Sequence, residues 1–95
     1  MAEIEVYRPD SQETHPPADL AARRAFPPDA RIVLVENGKP RAKDLLRYIG
    51  EAIQALYPGV RLVEHSKRSA SVTISDAEVA SFSAGAHFAI AGLGD

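Results

Sequence analysis

The sequence has 95 residues, 11 basic and 13 acidic side chains, no cysteine and a net charge of −2. Its length fits one domain, and its charge balance gives no support to a nucleic-acid or membrane-surface partner. The lack of cysteine excludes a disulfide framework, a thiolate zinc site and a cysteine nucleophile within these residues.

No apolar run approaches the ~18 residues of a membrane span. The opening Met-Ala-Glu-Ile-Glu-Val lacks the basic-then-apolar layout of a signal peptide, so a cytoplasmic protein is expected. Residues 1–30 read as an extended proline-rich arm, with Pro9, Pro16, Pro17, Pro27 and Pro28 and a charge balance of −3. Ile4, Val6 and Tyr7 could form a short strand or lie along the domain, and Asp19 to Arg24 a turn of helix.

Residues 31–95 carry the regular signals. Ile32-Val33-Leu34-Val35 is a short β-branched run suited to a strand covered on both faces. Asn37-Gly38-Lys39-Pro40 closes it, and Pro40 suits a helix start. The helix is expected to reach Leu56, with Leu45, Leu46, Ile49, Ile53 and Leu56 on its inward face. Gly50 costs about 1 kcal/mol of helix propensity against Ala and would allow close packing on a sheet. Tyr57-Pro58-Gly59 ends the helix.

Val60 to Glu64 reads as a second strand, and His65 to Ser71 as a polar loop. Ser75-Asp76-Ala77-Glu78 matches a capping box, with hydroxyl and carboxylate bonding reciprocally to backbone amides. A short helix to Ala84 follows, with Val79 and Phe82 inward and Gly85 as its C-cap. His87 to Ala91 is the third strand, followed by Gly92-Leu93-Gly94-Asp95.

This β-α-β-α-β order implies an α/β fold with a parallel sheet and right-handed crossovers. With helices on opposite faces, the three layers hold strands in the order 2-1-3. The third strand is then bare on its outer side, open to a protein partner or to self-association. Ligands of such sheets sit beyond the carboxyl ends of the strands, here between the loop at Asn37, Gly38 and Lys39 and the loop at Gly92, Gly94 and Asp95. Asn37 would supply amide contacts there. Lys39, Arg41, Lys43, Lys67 and Arg68 could gather on that edge and attract a small anionic substrate, although such charges more often form a solvated rim.

His65 is the one histidine placed for acid/base work, and a surface role is the commoner reading. Ser66, Ser69 and Ser71 show no partner triad, which leaves a hydrolase without a nucleophile. No metal-ligand spacing is present, and no cofactor is implied.

Val33-Leu34-Val35-Glu36-Asn37-Gly38-Lys39-Pro40, the leucine-rich helix, the polar Ser/Lys/Arg loop and the closing Gly-Leu-Gly-Asp resemble the UGSC domain. The resemblance covers residues 31–95. It implies a thiol-oxidoreductase-like protein or selenoprotein, whose motif of selenocysteine or cysteine followed by Gly-Ser-Cys comes directly after Gly-x-Gly-Asp. By transfer, Asn37, Gly38, Lys39, Gly92, Gly94 and Asp95 are the site-loop residues. Lys39 would stabilise an anion, and Asp95 would orient it or relay a proton.

The redox residues themselves are not in the sequence, so no catalytic residue is assigned within it and its status as an enzyme is left open. A selenocysteine codon is also a stop codon, and the sequence is expected to be the product of a gene read as ending there. The alternative is a small subunit or interaction module completed by another chain at the third strand.

Overall fold

The computed structural model describes residues 2–10 and 14–94. Its elements are β1 (Arg31–Glu36), α1 (Ala42–Leu56), β2 (Arg61–Ser66), α2 (Asp76–Ser83) and β3 (Phe88–Gly92). They form an α/β fold whose three strands are all parallel, in the order β2-β1-β3.

β1 is central and takes the most apolar run. Ile32, Val33, Leu34 and Val35 are all buried, as expected of a strand covered on both faces. Register sorts the two faces. Ile32 lies beside Leu62 and Phe88, and Leu34 beside Glu64 and Ile90. This face meets α1 through Leu46, and Ala30 and Val60 close the cluster. Val33, Val35, Val63, His65, Ala89 and Ala91 share the opposite face.

α1 follows a turn in which the Ala42 amide donates to the Lys39 carbonyl (3.0 Å). The helix thus starts two residues after Pro40, with Arg41 at its N-cap in the left-handed region (φ 68°). Only Ala42, Leu46 and Gly50 are buried. A Cβ at Gly50 would lie 2.8 Å from Leu62 Cδ1 and 3.1 Å from Leu34 Cδ1, so the missing side chain is what lets the helix sit on the sheet. The expected inward face is therefore too wide. Leu45 is 43%, Ile49 37% and Leu56 75% exposed. The spacing of 42, 46 and 50 aims a narrow stripe at β1 and leaves the neighbouring apolar flank outside.

β2 runs to Ser66, so His65 and Ser66 belong to a strand and not to a loop. Each of its six residues pairs with one of β1, and that pairing overrides the polar character of its last residues. β3 is likewise shifted by one residue, to Phe88–Gly92.

α2 keeps half of its capping box. The Ser75 hydroxyl accepts from the Glu78 amide (3.2 Å), but the Glu78 carboxylate bonds to His65 across the layer (3.1 Å). Val79 is 42% exposed, and α2 buries none of its residues. Phe82 packs on the His65 ring at 4.7 Å.

Residues 2–10 and 14–26 carry neither helix nor strand and are exposed. The short strand at Ile4–Tyr7 has no neighbouring strand to pair with and does not form, and neither does the helical turn at Asp19–Arg24, a segment too short to hold a helix without packing. Phe26 is the exception in its contacts: its ring lies 4.9 Å from Tyr57 and 5.3 Å from Phe88. Among the described residues no helix is long and apolar enough to cross a membrane.

Candidate functional site

Parallel pairing brings the last residues of the three strands, Glu36, Ser66 and Gly92, side by side. The loops leaving them are tied together. Asn37 makes the central connection: its amide nitrogen donates to the Leu93 carbonyl (2.6 Å). Its amide oxygen accepts from the Leu93 amide (3.0 Å). The Asn37 backbone amide donates to the Gly92 carbonyl (3.1 Å). The side chain thus acts as one more ladder residue beyond the end of β1 and continues the β1–β3 pairing into the glycine loop.

Glu36 holds the other half of the loop. Its carboxylate accepts from the Gly38 amide (2.6 Å). The Ser66 hydroxyl, that Gly38 amide and the charge of Lys43 hold the Glu36 carboxyl below the usual carboxylate range. The Lys67 amide donates to the Glu36 carbonyl (2.8 Å) and joins the β2 loop to the same point.

On the face away from α1, these loops border an open cleft of about 560 Å³. Val35, Ala91 and Leu93 form one wall, and the loop Ala70–Ile74 forms the other. Ala89 and Ala91, with their small side chains, are exposed on this side of β3. Among the described residues lining the cleft, Lys67 is the one with a charged side chain. No carboxylate among the described residues pairs with it. An ammonium beside an apolar wall suits a small ligand with an anionic end.

Of the residues singled out in the sequence, Asn37, Gly92 and Gly94 line this cleft. Gly38 and Lys39 sit on the same loop but outside the lining, with Gly38 in the left-handed region (φ 81°). Asp95 lies outside the described residues. The basic residues are divided by the sheet. Lys43 lies on the α1 side with Glu36 and Glu64, whereas Lys67 and Arg68 border a groove with Glu78 on the α2 side. Arg41 faces Asp44 at 3.4 Å.

Leu93 and residues 72–74 were not singled out as site residues in the sequence, since Leu93 contributes its backbone and the wall is an irregular loop. His87 is structural: its Nδ1 accepts from the Arg31 amide (3.0 Å). Ser69 and Ser71 bond to each other (2.9 Å). Among the described residues no group of three His, Asp or Glu side chains could hold a metal ion.

The model of the UGSC family matches residues 5–95, and the chain belongs to that family. No match was found among curated proteins or solved structures.

Proposed function

We propose that this UGSC-family chain is the α/β module of a thiol- or selenol-oxidoreductase-like protein. Without a redox-active sulfur or selenium, the 95-residue chain is itself inactive in redox chemistry. The observation that carries this reading is the pair of hydrogen bonds between the Asn37 side chain, which donates one and accepts one, and the Leu93 backbone, which ties the exit of β3 to the rim of the cleft. A selenol or thiol placed directly after the Gly-Leu-Gly-Asp segment, as the family motif has it, would be presented beside that cleft. Lys67 and Lys39 would favour its anionic form.

In a dithiol motif the first thiolate attacks one sulfur of a disulfide, and the S–S bond breaks to release one thiolate. The second cysteine then attacks the mixed disulfide and releases the other. The substrate gains two electrons and the motif becomes a disulfide. The cleft supplies the binding side of this scheme, for a small substrate with an anionic group near Lys67. A reducing cytoplasm would keep such a motif in its dithiol form.

The test is reduction of a small anionic disulfide by two forms of the chain. One is the 95-residue chain, and the other carries Cys-Gly-Ser-Cys after Asp95. Reduction of about one disulfide per pre-reduced extended chain, slowed by Lys67→Gln, and none by the 95-residue chain, is the expected result. Equal inertness of both forms would overturn the redox reading. The open outer edge of β3 favours a second reading, an interaction module completed by another chain.

A further inference from the structure

β3 pairs with β1 on one side only, and its other edge meets no strand among the described residues. The edge, Phe-Ala-Ile-Ala-Gly, has no charge and no proline, two of the usual devices against strand addition.

The exposed flank of α1 lies above this edge. The opposite flank faces β2, since Arg47 bonds to Glu64 (3.0 Å) and Gln54 to the Val60 carbonyl (3.0 Å). Leu45, Ile49 and Leu56 sit across the helix from Arg47 and Gln54 and therefore on the β3 side. They are partly to largely exposed and carry no charge. Edge and flank form one surface shaped for a further strand with an apolar layer on it.

We infer that this surface takes a second copy of the chain, with β3 antiparallel to β3 about a two-fold axis perpendicular to the sheet. The self-complementarity of β3 is the reason. Centred on Ile90, the pairing sets Phe88 against the partner's Gly92, Ala89 against the partner's Ala91, and Ile90 against the partner's Ile90. The largest side chain meets the residue that has none. The same axis keeps both α1 helices on one face and turns their uncharged flanks toward each other, which an isologous interface requires. The result is a continuous six-stranded sheet. Five paired residues and two helix flanks bury on the order of 1,000 Å², at the low end of specific interfaces, so the dimer is weak and concentration-dependent.

Sedimentation velocity of the full chain across micromolar concentrations tests this. A monomer–dimer equilibrium is expected. Leu45→Lys and Ile49→Glu change partly exposed positions and should each weaken it at least tenfold with the far-ultraviolet circular dichroism unchanged. The double variant Ile4→Asp, Val6→Asp in the arm should leave it intact. A monomer at every concentration would overturn the proposal, as would a dimer indifferent to Leu45→Lys and Ile49→Glu. Loss of the dimer on changing Ile4 and Val6 would assign the surface to an exchanged arm instead.

Discussion

The Asn37 side chain bonds both backbone groups of Leu93, 56 residues further along the chain. One amide group thus locks the loop after β1 to the loop after β3. Replacing it with Ala leaves an amide and a carbonyl of Leu93 to find other partners, at a cost of about 1–3 kcal/mol. Hydrogen exchange at Leu93 checks this directly: Asn37→Ala should speed exchange there and leave the centre of β1 protected at low denaturant.

The two leucines at the start of α1 should respond very differently. Leu46 is 3% exposed and belongs to the core, whereas Leu45 is 43% exposed. Leu46→Ala is expected to cost about 2–5 kcal/mol, and Leu45→Ala less than about 1 kcal/mol. Urea melts at low protein concentration distinguish them. Equal losses would mean that the helix is rotated from the position described.

Acid should loosen the site end of the sheet. The Ser66 hydroxyl and the Gly38 amide lower the Glu36 pKa, and the hydrogen bond from Arg47 lowers that of Glu64, both from 4.5. Each carboxylate therefore contributes stability above its unfolded-state pKa, and that stability is lost as pH falls through the folded-state value. The melting temperature should drop as the pH is taken below 4.5. Glu36→Gln and Glu64→Gln should flatten that decline.

α2 is held to the sheet through His65, whose Nε2 lies 3.1 Å from the Glu78 carboxylate and whose ring packs on Phe82. With no buried residue of its own, α2 depends on this contact. Glu78→Ala should raise hydrogen exchange across 76–83 more than in α1, a difference that mass spectrometry of peptic fragments would show.

Element order, parallel pairing and the strand order 2-1-3 were legible because apolar runs, helical spacing and turn residues all act locally. Gly50 was readable for the same reason: a glycine inside a helix invites the question of what approaches it. The width of the α1 contact was not readable. Leu45 and Ile49 fit the helical period as well as Leu46 does, and only the position of the sheet separates them. Glu78 shows the same limit, since its sequence context offered a cap on Ser75 while the fold brought His65 within reach. Asn37 was visible as a candidate site-loop residue. Its bond to Leu93 was not, because the partner is backbone and carries no side-chain signature.

The central claim is that the Asn37-tied loop presents a redox group in a setting that favours its anion. The most direct measurement is the pKa of the first thiol in the chain extended by Cys-Gly-Ser-Cys after Asp95, followed by thiolate absorbance against pH. The account predicts a value clearly below the ~8.5 of a free cysteine, rising toward it in Asn37→Ala and in Lys67→Gln. A thiol that titrates at about 8.5 whether or not Asn37 is present would contradict it.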